Sequence, residues 1–370
     1  MFFRNDRIPR FFLAWYGLLA AWLATTAMHI PDGYLSPATS LVMFLLVLPF
    51  WARGVQSLRQ TANARSVPVI ALAAAFSFLI MMFNIPLPGG TTGHAVGGAL
   101  AAVVLGPEIA VIVISTALVI QAFFFGDGGI LAIGANCFNM AVVLPYVAAS
   151  VYRAVSADRP AASRRRAIGA GLGGWAGLTA AAFFAGLEFG IQPALFHTAD
   201  GAPLYAPYPL SVALPAMVIP HALLASVAEG TVTALVVVYL QRANPAVFRF
   251  ETAPELQPAA VPARQPRWRT QWILLAALAC ATPLGLLAPG TAWGEWNSQE
   301  LVQRGLGFVP QGLARLENLW GAPFSGYSLP FSIDPALGYV LSAVLGVALI
   351  AFLAWLYTSL FVLGGSPESR

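Results

Sequence analysis

The sequence contains no lysine, few charged residues and only two cysteines, and each shortage excludes a class of protein. Charged residues make up 9% of the 370 residues and hydrophobic residues 58%, which is more apolar surface than a soluble domain can bury. Cys137 and Cys280 both lie in apolar runs, so neither a disulfide nor a thiolate metal site is expected. The composition therefore predicts an all-α polytopic membrane protein embedded in a lipid bilayer.

Because lysine is absent, all 19 basic residues are arginines, and the net charge of +4 indicates membrane topology rather than nucleic-acid binding. Most of the arginines fall in three connections, which the positive-inside rule places in the cytoplasm together with the C-terminus. These connections carry Arg53, Arg59 and Arg65; Arg153, Arg159, Arg164, Arg165 and Arg166; and Arg242, Arg249, Arg264, Arg267 and Arg269. The mature N-terminus and the other connections then face outside: 84–94, 126–129, 191–208 and 289–335.

Apolar runs predict a core of about seven spans and a C-terminal unit of two, most of them near the roughly 20 residues that cross a bilayer. The third run is short, which a buried position tolerates. Pro215 and Pro220 suggest that 209–218 forms a separate packed or re-entrant piece. A proline-rich linker at 242–269 separates the core, 28–241, from the C-terminal unit, 270–370. The runs are 37–53, 68–85, 95–106, 108–125, 130–152, 168–190, 220–241, 271–288 and 336–363.

The first 27 residues have the order of a signal peptide. Three arginines precede the apolar run FFLAWYGLLAAWLA, and small residues follow it as far as Ala27. Residues 1–27 are therefore predicted to be cleaved, so that Met28 becomes the mature amino terminus. An uncleaved transmembrane helix is the alternative interpretation.

A terminus at Met28 would create a metal chelator. The free amine of Met28, the backbone nitrogen of His29 and the Nδ1 atom of His29 close a five-membered and a six-membered ring around one ion. His94 lies in a glycine- and proline-rich loop on the same predicted side of the membrane, NIPLPGGTTGHAVGGAL. Its imidazole could complete a square of four nitrogens, which suits Ni(II) and Cu(II), with Co(II) also compatible.

Other polar residues carry weaker signals. A lone loop histidine usually forms only hydrogen bonds, and this interpretation stays open for His29 and His94. His197 is expected to be an exposed loop residue. Structural hydrogen bonds are expected for the remaining polar residues of the apolar runs: His221, Glu229, Glu108 and Glu188. The sequence has no HExxH, Walker A or GxSxG motif, so the chain is not predicted to be an enzyme.

Four segments resemble the CbiM/NikM family, the substrate-binding membrane components of energy-coupling-factor cobalt and nickel importers. They are MHIPDGYLSP, PLPGGTTGHAVGGAL, QAFFFGDGGILAIGANCFNMAVVLP and PHALLASVAEGTVTALVV, and the resemblance covers about residues 28–240. It implies that the N-terminal amine, the second-residue histidine and a histidine before the third span hold the metal. These correspond to Met28, His29 and His94. Family members often begin directly at Met-His-Ile, so the correspondence depends on cleavage after Ala27.

The resemblance also implies partners: a transmembrane coupling subunit and cytoplasmic ATPase subunits. The C-terminal unit is similar in layout to a small two-span accessory subunit of this family. Within the core, Asp32, Asn136 and Asn139 are candidates for orienting the metal ligands or for hydrogen bonding between helices.

Three functional hypotheses follow. The first is high-affinity uptake of Ni(II) or Co(II) across the bacterial cytoplasmic membrane. The second is a stand-alone metal permease or a metal sensor. The third, an intramembrane metalloenzyme, would need an open coordination position and a general base, and four nitrogen ligands leave little room for one. The sequence does not separate nickel from cobalt.

Overall fold

The computed structural model describes residues 29–63, 66–87, 91–156, 160, 163–243, 268–287, 293–329 and 334–362. The predicted signal peptide, the predicted ligand Met28 and most of the predicted linker lie outside the described residues.

In the described residues the fold consists of helices and one short hairpin, which confirms the all-α polytopic prediction. Six of these helices are long and apolar enough to cross a membrane: Pro37–Thr61, Pro107–Phe125, Ile133–Ser156, Arg164–Leu195, Leu210–Ala243 and Pro335–Phe361. The core contains α1 (Pro37–Thr61), α2 (Val67–Met81), α3 (Gly98–Leu105), α4 (Pro107–Phe125), α5 (Ile133–Ser156), α6 (Arg164–Leu195) and α7 (Leu210–Ala243). The C-terminal unit contains α8 (Trp268–Ala281), α9 (Ser298–Gln303), α10 (Gln311–Leu316) and α11 (Pro335–Phe361).

Small residues set the helix packing. Gly169, Gly173 and Gly177 recur every four residues along one face of α6, against α5. A Cβ atom at Gly173 would lie 2.6 Å from the carbonyl oxygen of Ala148, and one at Gly177 would lie 2.6 Å from that of Leu144. Helices in a bilayer associate through such close backbone contacts because the hydrophobic effect does not drive their packing.

The third predicted span is an eight-residue helix, α3. The antiparallel hairpin of β1 (Ile85–Leu87) and β2 (Thr91–Gly93) precedes it, and His94 follows β2 directly. Gly97 and Gly106 at the two ends of α3 have positive φ angles of 77° and 85°, which glycine adopts without steric cost. Neighbouring helices bury α3 almost completely, so its polar backbone is enclosed by protein.

The prediction of a separate piece at 209–218 is wrong, because α7 is continuous from Leu210 to Ala243. Pro220 has no N–H to donate and would break a regular α-helix. The helix nevertheless continues through a π-helical segment directly after this proline, His221–Ala225, in which hydrogen bonds join residues five rather than four apart.

The C-terminal unit packs along the core and over one of its ends. Helix α11 lies against α2, where Gly346 faces the ring of Phe78. The segment 293–329 covers the end of the core that carries His29, His94 and Asp127, hereafter the histidine end. The backbone N–H of Phe324 donates to the carbonyl of Phe124 at 2.9 Å, and Tyr34 donates to the carbonyl of Trp296 at 2.7 Å.

Candidate metal site

The two predicted histidine ligands lie side by side. The imidazole rings of His29 and His94 have centroids 5.0 Å apart and planes inclined by 28°. Both side chains are buried, and the Nε2 atom of each ring has no hydrogen-bond partner among the described residues. Folding thus brings together two histidines from segments that 64 residues of chain separate.

The two rings have different environments. The Nδ1–H of His94 donates to the carbonyl of Ala95 at 3.1 Å, which leaves a lone pair on Nε2. Burial and the adjacent His29 lower the pKa of His94 to about 4, so this ring is neutral near pH 7 and able to bind a metal.

His29 is paired with a carboxylate. Its Nδ1 atom lies 2.9 Å from Oδ1 of Asp127. Burial disfavours charge on both groups, but the pairing outweighs burial: the pKa of His29 is raised, and that of Asp127 is lowered to about 2. In the described residues no three His, Cys, Asp or Glu side chains are placed to hold one ion. A complete metal site would therefore need further donors, such as backbone or terminal nitrogens.

Asn136 fixes the chain directly after His29. Its Oδ1 atom accepts from the N–H of Ile30 at 2.8 Å, and its Nδ2 atom donates to the carbonyl of Ile30 at 3.0 Å. The N–H of Gly129 donates to the same carbonyl at 2.9 Å. Both backbone polar groups of Ile30 are thus hydrogen-bonded, which fixes the chain directly after His29.

Asp32 joins the same segment to the loop that carries Asp127. Its carboxylate accepts from the N–H groups of Ile130 at 3.0 Å and Leu131 at 2.8 Å. Burial raises the pKa of Asp32, and the hydrogen bonds from the backbone partly offset the rise. A Cβ atom at Gly129 would collide with Asp32, so glycine is required there for this close approach.

Glu229 holds the loop behind His94. From α7 its buried carboxylate accepts three backbone N–H groups, those of Val96 at 2.8 Å, Gly97 at 2.9 Å and Ala99 at 3.1 Å. These groups surround the N-terminus of α3, where backbone donors lack helical partners. The structural hydrogen bond that the sequence suggests for Glu229 is thus made to the loop that positions His94.

Glu229→Gln is expected to weaken Ni(II) binding about tenfold, because an amide has one acceptor oxygen and turns its NH₂ group toward backbone donors. Losing hydrogen bonds to a buried charged group costs about 1.5–3 kcal/mol. The matched control is Glu188→Gln, which alters a buried carboxylate on α6. Equal dissociation constants for Ni(II) in wild type and Glu229→Gln, measured by competition with a chromogenic chelator, would contradict this role.

The other candidates lie elsewhere. Asn139 donates to Oε2 of Glu188 at 3.0 Å and so joins α5 to α6. His197 is exposed, and its Nδ1 atom bonds the carbonyl of Thr198 at 3.0 Å. His221 is buried, with Nδ1 bonded to the carbonyl of Met217 at 2.7 Å.

Sequence reasoning did not single out Asp127 or Tyr327. Tyr327 belongs to the C-terminal unit, and its hydroxyl donates to Oδ2 of Asp127 at 2.6 Å. The one available signal was the position of Asp127 in a short glycine-rich connection, GDGG, predicted to lie on the same side of the membrane as both histidines.

Comparisons with known proteins identify the family of each part of the chain. The family model described as the cobalt uptake substrate-specific transmembrane region, CbiM, matches residues 29–247. The PDGLE domain model matches residues 267–363.

Relatives with both parts span most of the chain. The fused nickel transport protein NikMN of Rhodobacter capsulatus is 52% identical, over 87% of this chain and 95% of that protein. The probable fused nickel transport protein LarMN of Lactiplantibacillus plantarum is 41% identical, over 88% and 96%. A crystal structure of a truncated transition metal transporter is 47% identical, with a TM-score of 0.54, over 57% of this chain and 97% of that one. The chain therefore belongs to the CbiM/NikM family, in the fused form that carries a C-terminal PDGLE domain.

Proposed function

We propose that the chain captures Ni(II) or Co(II) for uptake across the bacterial cytoplasmic membrane, as the substrate-binding component of an energy-coupling-factor transporter. The observation that carries the proposal is the buried pair of His29 and His94, with ring centroids 5.0 Å apart. The names of the fused relatives, which are nickel transport proteins, support a metal ion as the substrate.

The spacing of the two rings suits a shared ion. Imidazole nitrogens bind first-row metals at about 2.0–2.1 Å, so two adjacent ligands at a right angle place their ring centroids about 4.5 Å apart. Opposite ligands would separate the centroids by about 6.4 Å. The observed 5.0 Å supports adjacent positions on one ion, which is the relation that the predicted square of nitrogens gives to His29 and His94.

The remaining donors are the amine of Met28 and the backbone nitrogen of His29. This set requires cleavage after Ala27, so that the amine is free. Asn136 and Asp32 support the proposal, because Asn136 holds Ile30 against α5 and Asp32 bonds the backbone of Ile130 and Leu131. A chain that is already fixed from Ile30 has less conformational entropy to lose when the residues before it bind an ion.

Transport requires an energy source that this chain lacks by sequence, since it has no Walker A motif. We assign ATP hydrolysis to separate cytoplasmic subunits and the transmission of that energy to a transmembrane coupling subunit. In this arrangement the histidine end faces outside and the C-terminus faces the cytoplasm.

Uptake of radioactive nickel tests the proposal. Cells that express this chain with a coupling subunit and ATPase subunits are expected to accumulate the metal, and cells in which the ATPase lacks its Walker A lysine are not. The metal should remain bound to the chain in both strains. Equal uptake by the chain alone, in vesicles without ATP, would contradict the proposal and indicate a stand-alone permease; metal binding without any uptake would indicate a sensor.

A further inference from the structure

Asp127 is shared between the candidate metal ligand and the C-terminal unit. One carboxylate oxygen, Oδ1, pairs with Nδ1 of His29 at 2.9 Å. The other, Oδ2, accepts from the hydroxyl of Tyr327 at 2.6 Å and from Nε2 of Gln121 at 3.4 Å. Gln121 also donates to the Tyr327 hydroxyl at 2.9 Å, so the three side chains form a closed network.

Tyr327 is held in this position at a cost in backbone energy. It is the non-glycine residue with positive φ, 59°, in the described part of the chain, a conformation that side chains with a Cβ atom disfavour. Its ring stacks on Phe125 with centroids 5.0 Å apart, and its carbonyl accepts from Ser342 at 2.9 Å. Strained backbone that the surroundings maintain is found at functional positions. Here it places the Tyr327 hydroxyl within hydrogen-bonding distance of the Asp127 carboxylate.

The pairing of His29 conflicts with the predicted chelate. The six-membered ring of that chelate uses Nδ1 of His29, and in this structure Nδ1 is bonded to Asp127. A metal captured through Nδ1 must therefore separate His29 from Asp127. The side chain of Asp127 is only 23% exposed, and a carboxylate that loses its partner in such a partly enclosed site is costly unless other donors remain.

We propose that Tyr327 is a positioning residue for metal capture. Its hydroxyl keeps the Asp127 carboxylate hydrogen-bonded when the His29 ring leaves Asp127 to bind the ion. This inference rests on the proposed function. In the metal-free state Asp127 has donors on both oxygens. In the loaded state the hydroxyl of Tyr327, supported by Gln121, keeps Asp127 hydrogen-bonded beside the newly bound cation. The C-terminal unit thus stabilises the loaded site without contributing a metal ligand.

Removal of the hydroxyl acts more strongly on the loaded state. Tyr327→Phe leaves Asp127 paired with His29 when metal is absent, but with only the longer contact to Gln121 when metal is bound. The Ni(II) dissociation constant is therefore expected to rise about tenfold, in the range for a hydrogen bond to a charged group. Tyr339→Phe is the matched control, because Tyr339 packs on Tyr327 with centroids 5.3 Å apart but makes no hydrogen bond to Asp127 in the described part of the chain.

The test is a double-mutant cycle on the purified full-length chain in lipid nanodiscs. The Ni(II) dissociation constant is measured for wild type, Tyr327→Phe, Asp127→Asn and the double variant, and thermal unfolding without metal is measured alongside. If Tyr327 acts through Asp127, Tyr327→Phe weakens binding about tenfold alone and less than about twofold on the Asp127→Asn background. If Tyr327→Phe does not fold, Gln121→Met removes a donor from the core side and should weaken binding in the same direction.

Three results would overturn the inference. The first is a Ni(II) dissociation constant of Tyr327→Phe equal to that of wild type, and the second is an equal loss of affinity from Tyr327→Phe in wild type and in Asp127→Asn. The third is complete loss of Ni(II) binding in Asp127→Asn, which would make Asp127 a ligand. The His94→Ala variant separates these results from failure of the proposed function. If wild type binds no Ni(II), or His94→Ala binds it as wild type does, the metal site itself is wrong. If wild type binds Ni(II) and His94→Ala does not, the metal site stands, and any of the three results above shows only that the role of Tyr327 is wrong.

Discussion

Replacing His94 with alanine is expected to lower Ni(II) and Co(II) uptake by at least about a hundredfold while the protein remains in the membrane. The variant removes one of the two buried imidazoles in the described part of the site, and a hundredfold loss corresponds to about 2.7 kcal/mol, a fraction of the binding free energy of a complete metal site. Uptake of radioactive metal at nanomolar supply measures the effect, with the amount of protein determined by immunoblot.

His197→Ala is the matched control for His94→Ala. His197 is exposed and bonded to Thr198 of its own loop, so its removal should change uptake by less than about twofold. Similar losses in the two variants at equal abundance would contradict the assignment of His94 as a ligand.

An alanine inserted between Ala27 and Met28 is expected to reduce metal binding to a similar extent. If cleavage occurs at the same peptide bond, the mature chain begins Ala-Met-His, and the free amine moves three backbone atoms away from His29. The five-membered ring between the amine and the His29 nitrogen is then lost. A histidine in third position can still chelate through two backbone nitrogens, but the longer terminus must also fit beside His94, and Asn136 fixes the chain at Ile30.

The matched control for this insertion is an extra alanine between Ala20 and Ala21. It lengthens the apolar run by the same residue but leaves the mature chain unchanged if residues 1–27 are removed. Intact-mass spectrometry establishes the terminus of each variant, and chelator competition gives the dissociation constant. Unchanged binding by a verified Ala-Met-His chain would show that the amine is not a positioned ligand.

The sequence predicted those features that depend on local chemistry. Apolar runs placed the six described helices that are long enough to cross a bilayer, because length and hydropathy decide whether a helix crosses. The other three runs, 68–85, 95–106 and 271–288, form shorter helices. His29 and His94 were identified from the residues around them: a possible terminus beside one and a glycine-rich loop around the other. Their contact in the structure could only be expected from the predicted topology.

Contacts between distant segments were beyond sequence reasoning. Asp127 and Tyr327 lie 200 residues apart, in parts of the chain that match different family models. Glu229 and Val96 lie 133 residues apart. No local pattern marks such pairs, because the partners are set by how α7 and the C-terminal unit pack against the core. The error at 209–218 has a different origin. Two prolines predicted a break, but the helix continues through both, with a π-helical segment directly after Pro220.

Native mass spectrometry of the full-length protein, purified from membranes after growth with nickel, tests the central claim most directly. One spectrum gives both the start of the chain and the number of bound ions. We predict a chain that begins at Met28 and carries one Ni(II) or Co(II), and a His94→Ala chain of the corresponding mass that carries none. A metal-loaded chain that begins at Met1, or a His94→Ala chain that retains its ion, would contradict a site built from the terminal amine, His29 and His94.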